Sequence, residues 1–93
     1  MDGREDAPEA ATLRVDSTHQ GIRVARHWVG ERLRELGCDP DFTGEALLAV
    51  GEALTNVVRH AYREEAGHPI DLKVSATAQA VEFVIEDEAP YFE

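Results

Sequence analysis

The chain has 93 residues, of which 43% are hydrophobic, and a formal net charge of −10. This length allows one small domain, and the hydrophobic content is enough for a folded core. The excess of acidic residues argues against binding to nucleic-acid backbones or anionic membranes, because few side chains are available to neutralise phosphates. A single nucleotide stays compatible with this charge, since Mg²⁺ can screen its phosphates.

The cysteine count and the hydropathy pattern point to the compartment. Cys38 is the one cysteine, so the chain cannot form an internal disulfide. No apolar run approaches the roughly 20 residues of a membrane-spanning helix. The N-terminal residues also lack the apolar core of a signal peptide. Together these features predict a cytoplasmic protein.

The first half of the chain reads as a strand followed by a helix. Residues 1–11 are acidic and small, and we predict a flexible lead-in to a domain at residues 12–93. Thr12–Asp16 alternates as a strand does, and Ser17 or Thr18 can cap a helix that starts at His19. The apolar residues that recur at helical spacing in this segment are Ile22, Ala25, Val29, Leu33 and Leu36.

The second half reads as a helix followed by two strands. A helix is predicted from about Asp41 to Tyr62, with an apolar stripe formed by Leu47, Val50, Leu54, Val57, Val58 and Ala61. Alternating strands at Ile70–Ala76 and Val81–Ile85 follow, joined by a short turn. The order β-α-α-β-β predicts an α+β fold in which two helices pack on an antiparallel or mixed sheet.

Polar residues on the second helix form the first candidate site. Glu52 and Asn56 are four residues apart, so they lie one turn apart on the same face. A carboxylate can accept a proton from an attacking hydroxyl, and an amide oxygen can ligate Mg²⁺. Arg59 and His60 could direct positive charge or hydrogen-bond donors toward phosphates. The spacing alone favours the simpler interpretation, a solvated helix face whose charged residues serve solubility.

A second polar cluster follows the last predicted strand, at Glu86–Pro90. Asp87 comes directly after the apolar strand residues, so its carboxylate could lie at the rim of a pocket. There it could accept a hydrogen bond from the amino group of a nucleotide base. The alternative is an acidic turn without a ligand.

These two segments together resemble a known family. Residues 51–62, GEALTNVVRHAY, closely resemble the N-box of the anti-sigma factor serine kinases, which are GHKL (Bergerat-fold, histidine kinase-like) ATPases. The shared features are Glu-x-x-x-Asn, the threonine before the asparagine and the following His-Ala-Tyr. Residues 84–93, VIEDEAPYFE, resemble less specifically the next box of that family, Asp-x-Gly-x-x-Phe-Asp. The resemblance extends over residues 12–93.

The resemblance implies a truncated Bergerat fold and a role for each matching residue. Glu52 would be the general base that activates a serine hydroxyl, and Asn56 would hold the Mg²⁺ that bridges the phosphates of ATP. Arg59 and His60 would lie near those phosphates, and Asp87 would bind the adenine amino group. The reaction would transfer the γ-phosphoryl group to an anti-anti-sigma (STAS-type) protein and leave ADP, while a sigma factor would be a second partner.

Two departures from the family pattern bear on activity. Ala89 stands in place of the family's glycine beside the adenine, where a methyl group can weaken nucleotide binding. The family also continues past this point with a lid segment, a second glycine-rich box and further elements. A chain that ends here would expose a sheet edge and apolar surface unless a second copy, as in a homodimer, or another chain covers them. The sequence leaves three explanations open: a chain cut short, a natural half-domain that pairs with itself or with a partner, and a degenerate relative kept only for binding.

Three functions remain open from the sequence. The first is the ATP- and Mg²⁺-dependent serine kinase, supported by Glu52, Asn56 and Asp87. The second is a non-catalytic regulatory module that binds a protein partner without phosphoryl transfer, supported by Ala89 and the missing second box. The third is the catalytic domain of a sensor histidine kinase, but no helix with a phosphoacceptor histidine is visible upstream.

Overall fold

The computed structural model describes residues 9–63, 65–77 and 80–87, and its elements follow the predicted order. These elements are β1 (Glu9–Asp16), α1 (His19–Glu35), α2 (Pro40–Asn56), a π-helical turn (Val57–Ala61), β2 (Pro69–Ala76) and β3 (Val81–Asp87). The prediction of an α+β fold with two helices and a sheet is confirmed. None of the described helices combines the length and the apolar character that crossing a membrane requires.

The three strands form an antiparallel sheet in the order β1-β2-β3. Leu13, Leu72 and Ile85 are directly paired across the strands, so they share one face of the sheet. The helices cover this face, where Ile70 and Leu72 are buried in the common core. The alternate residues of the strands therefore form a second face that the two helices leave uncovered.

The hydrophobic core lies between the helices and the covered face of the sheet. Four residues of the α1 stripe are buried as predicted, and Leu36 is half-buried at the helix end. In α2 and the π-helical turn, Leu47 and Val57 are only half-buried, which differs from the prediction. The buried residues there recur at intervals of four: Ala46, Val50, Leu54, Val58 and Tyr62.

The π-helical turn explains this interval. On an α-helix with 3.6 residues per turn, positions four apart drift around the axis by about 40° at each step. The Tyr62 N–H donates to the Val57 carbonyl, five residues back, at 3.0 Å. This wider turn opposes the drift and keeps both Val58 and Tyr62 in the core. Helical structure thus extends from Pro40 to Ala61, close to the predicted bounds of Asp41 and Tyr62, but it is α-helical only as far as Asn56.

Several element boundaries differ from the prediction by a few residues. β1 begins at Glu9 rather than Thr12, because residues 9–11 continue the antiparallel pairing with β2. Residues 1–8 of the predicted lead-in lie outside the described part of the chain. Thr18 caps α1 by accepting a hydrogen bond from the Gly21 N–H at 2.9 Å. At the other end of the sheet, β3 runs on to Asp87, two residues beyond the predicted end.

Hydrogen bonds join the β1–α1 connection to the segment that precedes β2. The buried Ser17 hydroxyl donates to the Glu65 carbonyl at 2.6 Å and accepts from the His68 N–H at 3.2 Å. The Asp16 carboxylate accepts from the Gly67 N–H at 2.8 Å. These contacts fix the path of the chain between the π-helical turn and the central strand.

Candidate functional site

A cleft of about 430 Å³ lies between the two helices. Ile22 and Arg26 line it from α1. The other lining residues are Leu47, Leu48, Gly51, Glu52, Thr55, Asn56 and Arg59. Their three- and four-residue spacing places them on one side of α2 and its π-helical extension. The cleft therefore combines apolar side chains with polar groups of both charges.

Glu52 and Asn56 are both exposed on this side of α2, one turn apart as predicted. Neither side chain has a hydrogen-bond or ion-pair partner among the described residues. The neighbouring Thr55 differs, because its hydroxyl donates to the Gly51 carbonyl at 2.8 Å. The carboxylate and the amide oxygen are thus available to a ligand that enters the cleft.

Two arginines give the cleft a positive balance in a strongly acidic chain. Arg26 comes from α1 and Arg59 from the π-helical turn, and Glu52 is the one acidic residue in the lining. Both arginines are exposed and have no carboxylate partner in the described part of the chain. By contrast, Arg32 and Arg34 pair with Glu35 and Glu31 at 2.8 and 3.3 Å.

Arg26 reaches the cleft because Gly51 has no side chain. A Cβ atom added at Gly51 would lie 3.3 Å from both Cδ and Nε of Arg26. The side chain of Arg26 therefore lies against α2 at Gly51, the residue that precedes Glu52. The sequence analysis did not identify Arg26 as a site residue, since the contact joins two different helices. The one sign of this contact in the sequence was Gly51, a glycine in the middle of the predicted second helix.

The remaining predicted site residues lie elsewhere or outside the described residues. His60 is exposed and does not line the cleft. Asp87 is the last residue of β3 and pairs in register with Ile70, so it lies on the sheet face that the helices cover. It is exposed and does not line the cleft either, although α2 contacts β3. Ala89 lies outside the described part of the chain.

The sequence matches a known protein-family model. The model of the histidine kinase-like ATPase domain matches residues 15–93, which is most of the chain. The chain belongs to the histidine kinase-like ATPase family. Its two helices on an antiparallel sheet are compatible with a truncated domain of this family, and membership indicates nucleotide binding. No curated protein matches the chain.

The cleft of this histidine kinase-like ATPase domain contains side-chain oxygen atoms, which are the ligands that Mg²⁺ prefers. In the described residues, no group of three or more His, Cys, Asp or Glu side chains could hold a metal ion. Mg²⁺ is commonly bound through one or two protein oxygens, with phosphate oxygens and water completing the coordination. The unpartnered Asn56 amide oxygen in the cleft, close to the Glu52 carboxylate, fits that mode.

Proposed function

We propose that the chain binds ATP and Mg²⁺ at the cleft between α1 and α2 and acts as an anti-sigma factor-like serine kinase of a bacterial partner-switching system. The observation that carries the proposal is the placement of Glu52, Asn56 and Arg59 in one cleft, with no partner for these side chains among the described residues. The family match supports ATP binding. The resemblance of residues 51–62 to the N-box supports the kinase activity and its protein partners.

Each polar residue of the proposed site has a distinct role in the reaction. The serine oxygen of an anti-anti-sigma protein forms a bond to the γ-phosphorus, while the bond to the β,γ-bridging oxygen breaks and ADP leaves. The Glu52 carboxylate accepts the hydroxyl proton. Asn56 would hold Mg²⁺, whose charge offsets that of the phosphates. Arg59 adds a donor to the phosphates, and Asp87, on the strand that α2 contacts, is proposed to bind the adenine amino group.

Calorimetric titration with ATP and ADP, with and without Mg²⁺, tests the nucleotide site. We expect Mg²⁺-dependent binding that weakens roughly ten- to a hundredfold in Asn56→Ala, since a lost contact to a charged ligand has about that effect. Glu45→Ala is the matched control, because Glu45 is exposed on α2 but does not line the cleft. Absence of binding by a folded wild-type chain would contradict the proposal.

Phosphoryl transfer to an anti-anti-sigma protein tests the second half of the proposal. Glu52→Gln keeps the shape of the side chain but removes the base, so transfer should slow by about 10²–10⁴-fold while ATP binding persists.

The second candidate function is the non-catalytic module. The exposed side chains of Val24 and Leu48, 49% and 62% accessible on the helices, favour it because they offer apolar contact to a protein partner. Binding of a partner that the wild-type chain never phosphorylates would select that module.

A further inference from the structure

We propose that Arg26 of α1 binds the terminal phosphate of ATP and so distinguishes ATP from ADP. This inference rests on the proposed function, because it assigns an additional residue to the same nucleotide site. Arg26 lies outside the N-box, on a different helix. Its role follows from its position relative to Gly51 and from the charges of the cleft.

The first step concerns reach. The missing side chain of Gly51 lets the Cδ and Nε atoms of Arg26 lie against α2, 3.3 Å from the place of a Cβ atom. The aliphatic part of Arg26 is thereby supported by the helix that carries Glu52 and Asn56. Arg26 lines the cleft, and its guanidinium group has no ion-pair partner among the described residues.

The second step concerns position along α2. Gly51 is adjacent to Glu52, the proposed base, whereas Arg59 lies one turn beyond Asn56. With a rise of 1.5 Å per residue, the levels of Gly51 and Arg59 are roughly 12 Å apart along the helix axis. Because a base must lie beside the phosphoryl group that is transferred, Arg26 at the Glu52 end meets the terminal phosphate. Arg59 lies toward the opposite end of this polar row.

The third step concerns chemistry. The terminal phosphoryl group carries charge on three oxygens during transfer, and catalysis depends on donors aimed at that charge. A guanidinium group can donate two parallel hydrogen bonds to a phosphate, which an ammonium group cannot do with the same geometry. ADP lacks the γ-phosphate, so Arg26 makes this contact with ATP and not with ADP.

The test compares Arg26→Ala, Arg26→Lys and Arg23→Ala by calorimetric titration with Mg²⁺ and either ADP or a non-hydrolysable ATP analogue. Arg23 is the matched control, since it is an exposed arginine of α1 that does not line the cleft. We expect Arg26→Ala to weaken binding of the ATP analogue roughly ten- to a hundredfold and to change ADP binding little. Arg26→Lys should fall between wild type and Arg26→Ala, and Arg23→Ala should match wild type.

The outcomes separate this inference from the proposed function. Equal losses for the ATP analogue and ADP, or equal losses in Arg23→Ala and Arg26→Ala, would overturn the role of Arg26 while nucleotide binding stands. A folded wild-type chain that binds neither nucleotide would overturn both proposals. Thermal unfolding of each variant checks folding. If Arg26→Ala does not fold, the binding of the ATP analogue and of ADP is compared in Arg26→Lys instead, because this variant keeps the aliphatic contact with Gly51.

Discussion

Gly21 lies where the first turn of α1 passes against the end of β1. A Cβ atom added there would overlap the backbone carbonyl oxygen of Asp16 and lie 3.3 Å from the Thr18 hydroxyl that caps the helix. The overlap with Asp16 cannot be relieved by rotating a side chain, because it is with backbone, and turning the Thr18 hydroxyl away would lose the helix cap. The close approach that places α1 over the sheet therefore depends on the absence of a side chain at this position.

Gly21→Ala should destabilise the fold by about 1–3 kcal/mol, the typical cost of forcing extra atoms into a packed site. Chemical denaturation measures this free energy of unfolding. Gly30→Ala in the same helix is the control, because its Cβ atom would lie 3.7 Å from Leu47, an ordinary contact. That variant should gain about 0.5–1 kcal/mol from the reduced entropy of its unfolded chain. Equal stability of the two variants would contradict this account.

At the scale of elements, the segment between the π-helical turn and β2 is held by buried polar contacts. The Tyr62 ring stacks on His68 with centroids 4.5 Å apart, and its hydroxyl donates to the Pro69 carbonyl at 2.9 Å. On the other side, Ser17 contacts the backbone of Glu65 and His68. This segment is thus held to the β1–α1 connection on one side and to Tyr62, directly after the π-helical turn, on the other.

Ser17→Ala should destabilise the fold by about 1–3 kcal/mol, since it leaves the Glu65 carbonyl and the His68 N–H without this hydroxyl. Ser75→Ala is the matched control. Ser75 is also buried, at 7% exposure, but its hydroxyl has no hydrogen bond to the described residues. The difference between their free energies of unfolding, measured by denaturant titration, isolates the contribution of the Ser17 contacts. A difference near zero would argue against a structural role for them.

An ion pair joins β1 to β2 on the uncovered face of the sheet. Arg14 donates from Nε and Nη2 to the two carboxylate oxygens of Asp71, at 2.8 and 2.9 Å. The hydrogen bond from Arg14, and to a smaller extent its charge, lowers the pKa of Asp71 below the ordinary value of 3.8, while desolvation opposes the shift. Because the folded pKa is lowered, the pair contributes stability above the ordinary pKa and loses it as the pH falls through the folded value.

Replacing Arg14 by alanine should raise the pKa of Asp71 toward its ordinary value. An NMR titration of the Asp71 carboxyl group in wild type and Arg14→Ala measures the change. Lys73→Ala provides the control, because Lys73 does not hydrogen-bond to Asp71 and its removal should leave the pKa low. An unchanged pKa in Arg14→Ala would show that another group holds the carboxylate ionised.

The sequence predicted the elements that are specified by residues close together along the chain. The apolar spacing of α1, the cap residue Thr18 and the alternation of β2 each depend on neighbours along the chain, so they could be identified without the fold. The π-helical turn could not be identified from the sequence, because apolar residues spaced four positions apart also fit an α-helix over short stretches. The placement of Glu52 and Asn56 on one helix face followed from helical spacing, whereas Arg26 enters the cleft through a contact between helices.

At the scale of the whole molecule, the net charge of −10 acts against compactness. The described part of the chain measures 47 × 28 × 21 Å. At an ionic strength of about 0.01 M the screening length is about 30 Å, so carboxylates repel one another across most of this distance. At about 0.15 M it falls to about 8 Å, which confines the repulsion to near neighbours.

The thermal unfolding midpoint should therefore rise between about 0.01 and about 0.15 M NaCl at neutral pH. Scanning calorimetry or circular dichroism can measure the midpoint. The same salt series near pH 4 is the control, since many carboxylates are protonated there and the increase should shrink. A midpoint that falls with added salt at neutral pH would mean that favourable ion pairs outweigh the repulsion.

Lys73 is the one lysine of the chain, and it is exposed at the middle of β2. It alternates with the buried Leu72 and Val74, so it projects from the sheet face that lies away from the helices and the cleft. Both cationic residues of the cleft are arginines, which amine-reactive reagents do not acylate. A fluorophore or a surface tether coupled to the Lys73 amine therefore leaves the cleft open to solution.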